Sequence, residues 1–311
     1  MASQIVECVP NFSEGRDAAL VDGLVSAVSS VAGVVVLDRE MDADHNRSVI
    51  TFAGPPGAAA EAAFRAVDSA AALIDLNRHT GVHPRIGATD VLPFVPVQGV
   101  TIEECVDLAV STAERIWRQL GIPVYLYEAA ARTPDRVNLE NIRRGQFERL
   151  RDEVRSNPAR RPDFGDAALH PTAGATVVGA RKFLIAYNIN LATGDVDIAK
   201  RIAKTVRFSS GGLRHVKAMG VALESRNLAQ VSMNLTDFEQ MPVHRVFEAV
   251  RAEAERYGVA IAGSEIIGLI PRKAVEMAAE FFLSVENFHP GLVLENRLDA
   301  AARFSGLDEP V

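Results

Sequence analysis

The chain has 311 residues, 48% of them hydrophobic and 23% charged, with a formal net charge of −7. That composition is globular, large enough for roughly two domains, and excludes a disordered chain. A net-acidic chain also lacks the basic surface with which a general nucleic-acid binder displaces counterions.

The elements follow in chain order. "QIVECV" reads as a strand, "NFSEGRD" as punctuation, and Asp17 to Val31 as a helix by its apolar spacing. "GVVVLDRE" and "RSVITFAG" read as the second and third strands, and Gly57 to Leu76 as an alanine-rich helix. A glycine- and histidine-rich loop leads to the strand "DVLPFVPV", then to a helix over Thr101 to Leu120 and the strand "IPVYLYE". Thr101 suits a cap, with Glu103 and Glu104 in the first turn.

From Ala131 to Pro171 the sequence is polar and dotted with proline, with a charged helix-like piece over Asn138 to Arg155. The pattern then restarts. "KFLIAYNINL" is read as a strand, Asp195 to Arg207 as a helix, and "RHVKAMGVAL" and "LAQVSMNLTDF" as strands. Val243 to Tyr257 reads as a helix, "VAIAGSEIIGLI" as a strand, and Pro271 to Leu283 as a helix opened by proline. Both halves follow β-α-β-β-α-β, and "NFSEG" (from Asn11) and "NLATG" (from Asn190) both leave a first strand. The expected fold is α+β. Two ferredoxin-like subdomains, over residues 1–180 and 181–311, arise by internal duplication and leave a ligand cleft between them.

Cys8 and Cys105 show no C-x-x-C or Cys/His ligand spacing, so no structural zinc site is expected. The first residues, "MASQIVECVPNFSEG", lack a basic stretch followed by an apolar one. No window reaches about 18 apolar residues either. A cytoplasmic protein without signal peptide or membrane span is expected.

Four stretches carry candidate chemistry. In "RHTGVHPRIGATD", His79 and His83 are four apart, but Gly81 and Pro84 oppose a helix and no H-E-x-x-H glutamate is present, so no metal is expected. An imidazole held beside Arg85 and Asp90 can instead shuttle protons, and Gly81 and Gly87 permit close approach of a ligand. In "REMDADHNRS", Asp38 and Glu40 leave one strand while His45 and Arg47 enter the next. Such strand ends can deliver a carboxylate that orients a histidine. "NFSEG" offers Asn11 and Ser13 at a helix start, which suits either an anion or plain capping. Lys200, Arg201, Lys204, Arg207, Arg214 and Lys217 form a basic run without an acidic residue between them. It suits a solvated helix face or a dock for a polyanion.

Taken together, "IVECVPNFSEG", "NRSVITFAG", "GVHPRIGATDVLPFVPVQGVT", "GIPVYLYEAAA", "PDFG", "GATVVGARKFLIAYNINL" and "NLAQVSMNLTDFE" resemble the glutamate formiminotransferase (formimidoyltransferase) family. The resemblance reaches from the amino terminus to about residue 290, in the stand-alone form without a following cyclodeaminase domain. It implies transfer of the formimino group of N-formimino-L-glutamate to N5 of tetrahydrofolate, in histidine breakdown. It further implies a homodimer, and folate bound between two ferredoxin-like subdomains. Tetrahydrofolate would be a co-substrate, and no metal is required. The alternatives are formyl transfer between 5-formyltetrahydrofolate and glutamate, or a catalytically silent folate-binding module.

The resemblance places the catalytic histidine at His83 of "HPRIG". It places folate contacts after "DFG", on Gly165, Asp166, Ala167, Ala168, Leu169, His170, Pro171, Thr172, Ala173 and Gly174. Two-domain members carry tryptophan where this chain has Ala173 and histidine where it has Thr80, so stacking from position 173 is weakened. Asp38 or Glu40 would orient His83, Arg47 or Arg85 would pair with a substrate carboxylate, and the Lys200–Lys217 run would take a folate polyglutamate tail.

Overall fold

The computed structural model describes residues 4–43, 45–81 and 83–297. Asp44 of the "REMDADHNRS" stretch and residues 298–311 of the expected second subdomain lie outside them.

The chain divides into two compact units between Lys182 and Phe183. The first holds β1 (Ile5–Cys8), β2 (Asn11–Phe12), α1 (Ala18–Ser29), β3 (Val35–Asp42), β4 (Arg47–Gly54), α2 (Pro56–Leu73), β5 (Thr89–Gln98), α3 (Ile102–Leu120), β6 (Val124–Glu128), α4 (Leu139–Ile142), α5 (Gln146–Ser156) and β7 (Thr176–Ala180). The second holds β8 (Ile185–Leu191), α6 (Val196–Val206), β9 (Val216–Leu223), β10 (Leu228–Leu235), α7 (Val243–Arg256), β11 (Ile261–Ile267) and α8 (Arg272–Leu283).

In the first unit, β1 and β2 share one position between β4 and β5, antiparallel to both. Pro10 has no N–H to offer the ladder and breaks them apart. The sheet runs β3, β4, β1/β2, β5, β7, β6, with the last two steps parallel. Counted by appearance, the first four strand positions therefore stand in the order second, third, first, fourth. The second unit repeats it, because β9, β10, β8 and β11 neighbour one another in that order, all antiparallel.

Alternation along β4 separates the two faces of the first sheet. Ile50 and Phe52 join a core with Val6, Phe12, Leu24 and Ile116. Arg47, Val49 and Thr51 take the opposite face, in register with Asp42, Glu40 and Asp38 of β3. At the far end of that face, Ile142 and Leu150 cover Val91, Val177 and Tyr125 as a second apolar cluster. The second unit has its own core, built from Ile185, Ile189, Leu191, Ile202, Val231 and Val246 among others.

Two elements differ from expectation. The charged piece over 138–155 splits into α4 and α5 at Gly145, whose φ of +80° takes it out of the helical region. And "TVVGA" forms β7, inserted between β5 and β6. All five of its residues are buried. A short parallel strand covered on both faces is a plain apolar run without period-2 alternation, so it gives no periodic signal.

Candidate active site

The loop from His79 to Asp90 joins α2 to β5 and is held by its own side chains and by two other segments. Asp90, at the start of β5, accepts the Ile86 amide at 2.8 Å on one oxygen and Arg143 Nη2 on the other. Ser13 Oγ donates to the Gly87 carbonyl at 2.7 Å. The Ala88 amide donates to the Ala173 carbonyl, and the Ala175 amide to the Ile86 carbonyl, each at 2.9 Å. The loop is thus stitched by backbone to residues 173–175.

The loop's glycines serve this stitching. A Cβ on Gly87 would lie 2.0 Å from the Ala175 carbonyl oxygen, and one on Gly81 would lie 2.3 Å from that of His45. The expectation that they admit a ligand to the backbone is corrected here. What they admit is backbone of the same chain.

His79 and Arg85 form a fixed pair. His79 Nε2 donates to the Asn46 carbonyl at 2.9 Å, which leaves Nδ1 to accept Arg85 Nε–H at 3.0 Å. The rest of the buried Arg85 guanidinium is taken by Glu148, at 2.6 and 3.0 Å, and by Gln146 at 3.0 Å. Arg85 is therefore committed within the protein, and of the two arginines expected to meet a substrate carboxylate only Arg47 remains. The Arg85 side of the pair holds Glu148 below the usual carboxylate range.

His83 is half-buried, and its Nε2 accepts Arg47 Nη1 at 2.8 Å. Burial, then the nearby cations Arg47 and Arg143, push its pKa down to about 3, while a hydrogen bond with the Pro84 backbone pulls the other way. The ring is neutral at pH 7, with an unprotonated Nε2 facing a cation. Desolvation and Arg143 likewise bring half-buried Arg47 down to about 10. The partner at Nε2 is a guanidinium in place of the carboxylate expected from Asp38 or Glu40. Strand register explains it: Asp42 stands opposite Arg47, whereas Glu40 and Asp38 stand opposite Val49 and Thr51, farther along β4. At about 3.3 Å per residue, Asp38 is roughly 13 Å up β3 from Asp42.

The carboxylate–histidine arrangement does occur, on the neighbouring ring. Asp42 accepts the His45 backbone amide at 2.8 Å and pairs with its Nδ1 at 2.6 Å. The His45 ring then meets His83 edge-on, with centroids 6.1 Å apart. His45, Arg47, His79, His83, Arg85 and Asp90 all line one small cavity.

Residues 165–174 lie in the same unit. His170 and Gly174 exchange backbone hydrogen bonds at 2.9 and 3.1 Å, closing a tight turn. His170 Nδ1 accepts the Ala173 amide at 3.0 Å, and burial lowers its pKa. Ala168, Leu169, His170 and Pro171 line a cavity of about 570 Å³ whose other wall is Arg151, Asp152 and Arg155 of α5. Ala173 faces away, buried in the helix-side core at 1% exposure. Thr80 accepts Arg16 Nη1 at 3.3 Å and gives its carbonyl to Asn46.

"NFSEG" caps no helix. Asp17 caps α1, accepting the Ala19 and Leu20 amides, while Asn11 turns Nδ2 back to the Val9 carbonyl at 2.8 Å. Asn190, in the second unit, accepts Gln230 Nε2 at 2.9 Å, and the same nitrogen donates to Glu265 at 2.7 Å. Asp42, Arg143, Glu148, Gln230 and Glu265 escaped the sequence reading. Arg143 and Glu148 sit in an ordinary charged stretch, Gln230 and Glu265 are polar residues in largely apolar strands, and Asp42 lies in a stretch already singled out, so pairing in the fold is what marks each one. Among the described residues, no helix is long and apolar enough to cross a membrane.

Comparison with known proteins decides the lineage. The description "Formiminotransferase domain, N-terminal subdomain" matches residues 5–181, and "Formiminotransferase domain" matches residues 186–309. The chain belongs to the formiminotransferase family. It is 50% identical to the glutamate formimidoyltransferase of Streptococcus pyogenes serotype M1, over 95% of this chain and 99% of that one. The Thermoplasma acidophilum protein of the same name is 47% identical, over 96% and 98%. The mouse formimidoyltransferase-cyclodeaminase is 44% identical over 98% of this chain, which spans 57% of that relative's length. The His79–Asp90 loop and residues 165–174 both fall within the match to the formiminotransferase N-terminal subdomain.

Proposed function

We propose that this chain is a glutamate formimidoyltransferase, moving the formimino group of N-formimino-L-glutamate to N5 of tetrahydrofolate. The observation that carries the reading is a neutral, half-buried imidazole, His83, on a loop stitched by backbone to residues 173–175. We assign folate contacts to Gly165–Gly174, supported by the cavity of about 570 Å³ that Ala168–Pro171 line. Arg151 and Arg155 on its opposite wall suit a carboxylate-bearing ligand.

The chemistry asks for one proton carrier. N5 attacks the formimino carbon, forming N5–C, and the tetrahedral adduct collapses by breaking the bond from carbon to the glutamate nitrogen. N5 loses its proton and the glutamate nitrogen gains one, so an imidazole that takes the first proton and gives it to the leaving nitrogen balances the reaction. His83 fills that role. The Asp42–His45 pair stands edge-on to it, and His45 itself works against a charge on the His83 ring. Holding both substrates in one site supplies the rest through effective molarity.

The shared strand order supports reading both units as ferredoxin-like products of one duplicated unit. On the family resemblance, the enzyme works as a homodimer in the cytoplasm. A coupled assay with formiminoglutamate and tetrahydrofolate tests the function, and formation of 5-formiminotetrahydrofolate is the expected result. Turnover of 5-formyltetrahydrofolate with glutamate alone, or folate binding without any turnover, would replace it by formyl transfer or by a silent binding module.

A further inference from the structure

Arg47 brings a guanidinium into the site with no carboxylate to receive it. Its Nη1 rests on His83 Nε2, and its buried Nε has no partner. Of the three carboxylates that attract it, Asp90, Asp42 and Glu40, the first two are engaged elsewhere. Asp90 holds the Ile86 amide and Arg143, and Asp42 holds the backbone and ring of His45. Among the described residues no ion pair includes Arg47, whereas neighbouring Arg85 has its bidentate pair with Glu148. A guanidinium is a fork built for a planar carboxylate, and an imidazole lone pair uses one prong of it. The same contact occupies the one acceptor with which His83 could take a proton.

We propose that Arg47 is a substrate-operated latch on His83: a carboxylate of the glutamate-bearing donor takes the guanidinium fork, and the imidazole Nε2 is released toward the reacting nitrogens. The inference rests on the transferase reading above and adds to it a positioning residue and an order of events. With the site empty, the groups facing His83 are Arg47 from β4, Arg143 after α4, His45 from the β3–β4 turn, and Asp90 from β5. Arg85 and His79 lie on its own loop. Three of these, Arg47, Arg143 and His45, work against a charged imidazole. A carboxylate on Arg47 offsets the nearest cation and removes its hydrogen bond from the lone pair, and both changes favour protonation of the ring. His83 thus becomes a competent base when the donor is seated, and stays closed to tetrahydrofolate alone.

The test reads the ring itself. In protein labelled at histidine, with His83→Gln to assign its signal, His83 is expected to be neutral at about pH 5 in the free enzyme and more than half protonated there once L-glutamate saturates the site. Arg47→Lys, which keeps the charge and loses the fork, is expected to abolish that response and to raise KM for formiminoglutamate at least tenfold, with a smaller change in kcat. If wild-type enzyme turns over formiminoglutamate while saturating glutamate leaves the His83 signal unmoved, the latch is overturned and the transferase reading stands. Absence of turnover with either donor would overturn both.

Discussion

His83 shows how far a single residue's environment departs from its type. A free imidazole titrates near 6.5, but here the value is pushed to about 3. The folded protein therefore holds the ring neutral while the unfolded chain binds a proton below pH 6.5, so this contribution to stability is complete above 6.5 and is lost as pH falls toward 3. Between pH 6.5 and 5 the loss amounts to about 2 kcal/mol at most, at roughly 1.4 kcal/mol per pH unit. Denaturant midpoints at the two pH values are expected to fall less for His83→Gln than for wild type, and equal falls would contradict the depressed value. At this scale the sequence was partly legible. The clustering of His79, His83, Arg85 and Asp90 in one loop, and of His45 and Arg47 in another, singled out six of the nine residues that line the cavity. Their roles were not legible. Which cation reaches Nε2, and which acid receives Arg85, depend on strand register and on partners such as Arg143 and Glu148, 60 and 63 residues away in sequence from His83 and Arg85.

The elements place that chemistry, and the loop before β5 depends on close backbone packing as well as on its hydrogen-bonding side chains. Gly87 lies against the Ala175 carbonyl with no room for a methyl group. Gly87→Ala is expected to cost at least ~2 kcal/mol through forced overpacking. It should also displace the His83 loop, lowering turnover along with the denaturation midpoint. A variant of unchanged midpoint would contradict the close approach. Helices and several strands followed from periodicity, while β5 and β6, buried over most of their length, followed from their apolar runs. The exceptions have physical causes: β7 is buried throughout and carries no alternation, and the break between α4 and α5 turns on the backbone angle of one glycine. Likewise "NFSEG" resembles a helix start, yet Asp17 caps α1 and Ser13 serves the loop instead.

For the whole molecule, the two units share a strand order, and both contain the repeated β-α-β-β-α-β succession of elements expected along the chain. Beyond the pattern, the first unit adds β6 and β7, and with them the parallel edge on which α4 and α5 are packed. The basic run of the second unit begins on α6, where Lys200 is paired with Asp197 at 3.0 Å. The docking expectation therefore falls on Arg201 and Lys204 more than on Lys200. Replacing these two by serine is expected to weaken binding of polyglutamylated folate several-fold and of the monoglutamate little. Equal weakening of both would remove the patch from tail recognition.

All of this converges on proton transfer by one ring. The most direct measurement is the steady-state rate of His83→Ala with formiminoglutamate and tetrahydrofolate, alongside calorimetric binding of 5-formyltetrahydrofolate to the same variant. The account predicts turnover reduced by about 10²–10⁴-fold, the range of general acid–base help, with folate affinity kept. A variant that binds folate normally and turns over at near wild-type rate would contradict it.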